Sequence, residues 1–170
     1  MPPDAFLDAC SVIRLVLSAD QQGHQPATFL DNLGVRLVLC WAVVGELRNA
    51  RRRFVKLDRQ EGHLAGRTWR LVREFMDRAE PGYPPIDSIP IADKAIALGL
   101  PSDDAAIFSE AANVCALRSV PGEFVTCDSD YEALTGRLTD LARHLLGVSL
   151  AVCYVSPDEV KHHLVTLPRT

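Results

Sequence analysis

Four acidic residues stand just past or just inside apolar runs of the chain: Asp8 in AFLDACSVIRLVL, Glu46 in VRLVLCWAVVGEL, Asp104 in PSDDAAIFSEAA and Asp128 in EFVTCDSDY. Carboxylate oxygens suit hard divalent cations such as Mg²⁺ and Mn²⁺, which take oxygen donors and water. Acids at the junctions of strands and helices converge, in a layered sheet fold, on the crevice outside the carboxyl ends of the strands. Singly, each acid has an ordinary reading: Asp104 as a first-turn partner of a helix dipole, Asp128 as a strand-end acid, Glu46 as a solvated helix residue. Together they would be four like charges in one pocket, each raising its neighbours' pKa unless cations neutralise them. The spacing therefore predicts a metal site.

The elements that must position these acids follow from hydrophobic periodicity. Ala5 to Asp8 reads as a short buried strand, followed by a helical stretch to about Ala19. A polar segment and a short helix lead to a second strand, Val35 to Cys40, whose branched apolar residues suit burial on both faces. Val43, Leu47, Ala50, Phe54 and Leu57 form one helical stripe, with Glu46 at its border. Ala65, Trp69, Val72, Met76 and Ala79 form another, stopped by Pro81, Gly82, Pro84 and Pro85. After a helical piece at 92–98, Pro101 and Ser102 open a helix in which Asp104 shares a face with Ile107, Phe108, Ala111 and Cys115, whereas Asp103 shares one with Glu110. Glu123 to Cys127 is a strand running into Asp128, and Ser129 with Glu132 reads as a capping box for a helix striped with Leu134, Leu138, Leu141 and Leu145. Val148 to Val155 is a last strand before a terminal helical turn. Alternating strands and helices predict an α/β/α three-layer sandwich with a mostly parallel central sheet, in one domain over 1–170.

The formal net charge of −4 conceals a division. Residues 48–78 carry ten Lys/Arg against four acids, a local +6, leaving −10 for the remainder. A basic face beside an acidic pocket suits a polyanion held by the first and cut by metals in the second. The segment includes Arg48, Arg52, Lys56 and Arg59, spaced so that phosphates could track along a helix towards Glu46. Few aromatics are available to stack bases, so readout would need loops or substrate shape. The five cysteines are odd in number and hold no C-x-x-C pair, so they read as buried thiols in a reducing cytoplasm. His162 and His163 read as solvated. The apolar run Leu37 to Gly45 is too short to span a bilayer, and no signal peptide is visible, which predicts a cytoplasmic protein without membrane attachment.

Taken in order, FLDACSVIRLV, VVGELR, DAAIFSEA and FVTCDSDY resemble the four acidic blocks of the PIN-domain nucleases, and among them the VapC-like toxin ribonucleases of toxin–antitoxin pairs. The resemblance spans residues 5–131 and implies a PIN-like fold with Asp8, Glu46, Asp104 and Asp128 as catalytic, metal-holding acids and Asp130 as an accessory ligand. It implies an endoribonuclease using Mg²⁺ or Mn²⁺ on single-stranded RNA, leaving 5′-phosphate and 3′-hydroxyl ends by the two-metal route. A homodimer and a possible antitoxin partner are implied too. The apolar stripe of Trp69, Val72 and Met76 is an independent hint of dimerisation, as a single core of this size need not cover it. Thr126 is a candidate to orient a carboxylate or contact phosphate. Two departures stand out: Cys10, where the family more often has Ser, Thr or Asn near the metal, and the inserted helix 131–146. A catalytically weak RNA-binding or assembly module of the same fold, or a housekeeping nuclease without an antitoxin, is the alternative. A phosphohydrolase would need D-x-D on the first strand, and Asp8-Ala9-Cys10 lacks it; a phosphoreceiver domain would need a late Lys after a strand, and none follows.

Overall fold

The computed structural model describes residues 3–31, 33–85 and 89–167. Strands β1 (Asp4–Leu7), β2 (Arg36–Cys40), β3 (Glu80–Gly82), β4 (Gly122–Thr126) and β5 (Leu150–Tyr154) pair in the order β3-β2-β1-β4-β5, every pairing parallel. DAFL and LVLC are buried along their whole length, as strands covered by helices on both faces must be. From β1 the chain first winds outward to β2 and β3, then returns to place β4 on the other side of β1. That reversal makes the gap between the carboxyl ends of β1 and β4 the topological switch point, where open α/β sheets leave a crevice.

Helices α1 (Ala9–Gln21), α2 (Pro26–Leu30), α5 (Arg67–Arg78) and α9 (Val160–Thr166) pack with one another in one layer. Helices α6 (Ala92–Ala97), α7 (Ser102–Arg118) and α8 (Thr135–Leu146) form the other, and α3 (Trp41–Asn49) touches both α1 and α7. The fold is the three-layer sandwich that the sequence predicts, with an all-parallel sheet among the described residues. Its core joins Phe6, Phe124 and Phe108 to Tyr131, the last three in ring contact at 6.4 and 5.4 Å between centroids. Among the described residues no helix is long and apolar enough to cross a membrane.

Several boundaries differ from the expectation for identifiable reasons. The single stripe from Val43 to Leu57 is broken at Ala50, which separates α3 from α4 (Arg51–Gln60). Arg53 N–H bonds the Ala50 carbonyl three residues back, a tightened turn that lets Phe54 stack on Trp69 of α5 at 6.2 Å. Pro81 and Gly82, read as a helix stop, also form β3. An edge strand tolerates the missing N–H of proline, and a Cβ at Gly82 would fall 2.8 Å from Val38 Cγ1. The expected long helix after Asp128 begins as a 3₁₀ turn, Ser129–Leu134, and becomes α8 only at Thr135. Its cap is the Asp128 carboxylate, which accepts from Asp130 N–H at 3.0 Å, in place of the Ser129/Glu132 box.

At the amino ends of the strands an ion-pair network holds the sheet. Asp4, fully buried, meets Arg36 Nε at 2.7 Å and Arg118 Nε at 2.6 Å, and Glu80 meets Arg118 Nη2 at 2.8 Å and Arg36 Nε at 3.4 Å. Two guanidinium groups thus compensate two carboxylates drawn from β1 and β3.

Candidate metal centre

β1 ends at Leu7 because the next residue, Asp8, turns from strand to helix cap. Its backbone is extended and its Oδ1 accepts the Ser11 N–H at 2.8 Å, starting α1. The residue is only 4% exposed. Across the switch point Thr126, the last residue of β4, is wholly buried; its hydroxyl donates to Asp8 Oδ2 and accepts the Asp128 N–H at 3.0 Å. One threonine therefore orients the acids that follow both strands. Cys10 adds a third kind of donor, its thiol lying 3.2 and 3.3 Å from the two Asp8 oxygens. At Cys10, where a hydroxyl or amide is the more frequent choice in the family it resembles, the contact to Asp8 is thus made through sulfur.

Asp104 sits in the first turn of α7, half-buried, on the inward side of the helix. Burial raises its carboxyl from 3.8 to about 7, with further pushes from Asp128, Asp130, Asp8 and Glu46 in that order. Tyr131, fully buried, donates its hydroxyl to the Asp104 carbonyl at 2.8 Å and so ties this turn to the aromatic core. Burial and then repulsion by Asp104 and the other acids drive the tyrosine pKa upward. Glu46, on α3, is exposed. Its carboxyl is raised first by partial desolvation and then by Asp103, Asp8 and Asp128. Asp8 and Asp128 thus act electrostatically on both Asp104 and Glu46, in one bowl that runs from buried Asp8 to exposed Glu46. Among the described residues none of the four makes an ion pair. An oxygen-only donor set of this charge fits a hard divalent cation better than any side chain the pocket contains.

The neighbours divide by what they touch. Asp130 is exposed at the 3₁₀ turn, where its N–H serves the Asp128 cap and its charge acts on Asp104. Asp103 is exposed, as its position on the outer face of the helix requires, yet it is the first charge acting on Glu46, so it belongs to the rim of the bowl. Glu110, on the same face as Asp103, does something else. Its carboxylate accepts Trp41 N–H at 2.7 Å and Ala42 N–H at 2.8 Å, capping the α3 amino end from α7. Sequence spacing offers no signal for this, because the partners lie 69 and 68 residues apart.

The basic track is bent. Arg48 lies on α3 with Glu46, but Arg52, Lys56 and Arg59 lie on α4, beyond the break at Ala50; all four are exposed. Arg48 stands 5.6 Å above the Trp41 ring, and Trp41 and Tyr83, both more than half exposed, face each other at 6.0 Å. Cavities of about 390 and 560 Å³ are each lined in part by this aromatic pair, and none of the four acids lines either. Composition alone misses this exposed pair, since it counts aromatics without locating them. Of the expected dimer stripe, Val72 is fully covered by the chain's own core, while Trp69 and Met76 are half-buried.

A separate group, Glu123, Cys153 and His163, brings three ligand-type atoms within 4.8 Å of one another. His163 Nε2 is hydrogen-bonded to Glu123, and burial followed by the Glu123 contact pushes the Cys153 thiol up to about 12. A protonated thiol and a His–Glu pair satisfy one another here and fasten α9 to the sheet edge. His163 is therefore half-buried and partnered, against the expectation of a solvated tail, and His162 is exposed as expected.

Compared with known proteins, the chain matches no family model, no curated protein and no solved structure.

Proposed function

We propose that the chain is a divalent-cation-dependent endoribonuclease acting on single-stranded RNA, of the PIN-domain type and acting as the toxin of a toxin–antitoxin pair in the cytoplasm. The observation that carries this reading is the gathering of Asp8, Glu46, Asp104 and Asp128 at the switch point with no cationic side chain paired to any of them among the described residues. These four residues would hold Mg²⁺ or Mn²⁺, with Asp130 adjoining from the rim. The cation would supply charge neutralisation at the scissile phosphate and an acidified water for in-line attack.

The chain's own groups do the rest. Thr126 and Ser11 keep both Asp8 oxygens oriented, and Tyr131 fixes the turn that carries Asp104. Asp104 retains a proton up to about pH 7 in the metal-free bowl and releases it when positive charge arrives. Arg48, Arg52, Lys56 and Arg59 offer phosphate contacts, and the exposed Trp41–Tyr83 pair with Arg48 offers a stacking surface for unpaired bases. An acidic bowl in a molecule with −10 outside its basic segment also suits an inserted Arg or Lys from an antitoxin. Homodimerisation belongs to the proposal through the half-buried Trp69 and Met76.

The test is cleavage of a labelled single-stranded RNA by the purified chain with Mg²⁺ or Mn²⁺, with EDTA, and with duplex RNA as control. Cleavage of the single strand that EDTA abolishes is the expected result. Metal-independent cutting would falsify the mechanism, and tight RNA binding without cutting at any metal concentration would favour the binding-module alternative.

A further inference from the structure

Cys10 and Cys127 are 117 positions apart, yet their sulfurs lie 2.9 Å from each other. That is well inside the ordinary contact of two thiols and less than about 1 Å longer than a disulfide bond. Their backbones are held close as well. Cys10 lies in the first turn of α1, three residues past β1, and Cys127 directly follows β4; the two strands are adjacent and parallel, paired up to Leu7 and Val125. Ser11 Oγ accepts the Cys127 N–H at 3.1 Å and pins one segment against the other. Both residues are half-buried, so a small oxidant can reach them, whereas Cys40 and Cys115 are buried.

We infer that Cys10 and Cys127 form a reversible intramolecular disulfide, a modification site that joins the two segments carrying Asp8 and Asp128. With hydrogen peroxide as oxidant the chemistry balances. One thiol sulfur attacks peroxide, breaking the O–O bond to give a sulfenic acid and water. The second sulfur then displaces the sulfenic oxygen as a second water, so two thiols are oxidised by two electrons and peroxide is reduced. A thiol reductant returns both S–H groups. The bridge removes the Cys10 thiol as a donor to Asp8 and restrains the switch point covalently. This inference stands whether or not the bowl holds a cation. Where disulfides form in reducing compartments they are mostly transient and redox-sensing, which suits a pair at the rim of a site.

The experiment treats the folded, fully reduced chain with a small excess of hydrogen peroxide, alkylates in denaturant and reads the mass. Three of the five thiols should remain alkylatable, the chain should lack two hydrogens, and non-reducing peptide mapping should join the peptides of Cys10 and Cys127. Dithiothreitol should restore all five thiols. Bridging should be at least about tenfold faster in the folded chain than in urea, since the fold pre-orients the sulfurs. Cys10→Ser and Cys127→Ser should each abolish the bridge. Five alkylatable thiols after treatment, a bridge to another cysteine, sulfinic acid at either residue without a bridge, linkage only between chains, or no advantage of the folded chain over urea would each overturn the inference.

Discussion

The two ends of β1 carry the same residue type in opposite circumstances. Asp4 opens the strand, is fully buried, and meets two guanidinium groups within 2.7 Å. Asp8, one residue past the strand, is almost as buried, yet its partners are a threonine hydroxyl, a thiol and a backbone N–H. The charged groups on which it acts are two more acids, Glu46 and Asp104. Burying a carboxylate is costly unless a positive charge compensates it, and at the amino end of the sheet Arg36 and Arg118 do so from within the chain. At the carboxyl end the hydrogen bonds orient the acids and leave their charge uncompensated. The difference separates acids that hold the fold together from acids that no cationic side chain pairs among the described residues, and on that the proposed cation site rests.

The sharpest way to break this comparison is to neutralise each end in turn. Asp8→Asn and Asp104→Asn should take metal-dependent cleavage to background while leaving the fold intact, read by RNA cleavage beside circular dichroism. Thr126→Val, which removes the hydroxyl shared by the Asp8 carboxylate and the Asp128 N–H, should cost about 10–100-fold. A variant of Asp8 or Asp104 that cuts at the parent rate would return that acid to an ordinary capping role. At the other end, Asp4→Ala should lower stability by about 3 kcal/mol, because it removes the buried carboxylate shared by two partly buried guanidinium groups and leaves them only the more exposed Glu80. Where the variant folds, Mn²⁺ affinity should be unchanged; a loss of affinity without unfolding would mean that the two ends are not independent.

The pH dependence of stability should carry the mark of the uncompensated end. Asp104 has its carboxyl raised from 3.8 to about 7, so between those values the folded chain holds a proton that the unfolded chain has lost. Metal-free stability must therefore fall as pH rises across that window and level off above it. Denaturant midpoints should show this slope, and Asp104→Asn or added Mg²⁺ should flatten it. A flat wild-type profile would remove the burial and the like-charge repulsion that raise Asp104. The smallest expected effect lies on the basic track. Charge reversal at Arg52 or Lys56 should weaken RNA binding modestly and reduce the slope of log affinity against log salt by about one unit or slightly less per contact. An unchanged slope would leave α4 as solvated surface.

Much of this arrangement is legible in the sequence, for a local reason. An apolar run followed by an acid marks the end of a buried strand, and Asp8 and Asp128 are read that way from a few residues each. Helical periodicity likewise turns Asp104 inward and Asp103 outward, as the structure has them. The helix break at Ala50 is not legible, since the stripe continues unbroken through it and the turn answers to Phe54 packing on Trp69. Neither is β3, whose three residues lack any strand pattern of their own and exist as a strand because β2 offers an edge.

What the sequence determined by itself was the set of local preferences: which runs are buried, which residues cap, which acids follow strands, and that strands alternate with helices. What only the tertiary structure decided was every pairing across long separations. Glu110 reaches back to cap α3, Thr126 reaches Asp8, Arg118 reaches Asp4, and Cys10 meets Cys127. Periodicity and capping act over a few residues and leave their mark in the order of the chain. Charge compensation and sulfur contact act through space, so they come into being only when the sheet order sets β1 between β2 and β4.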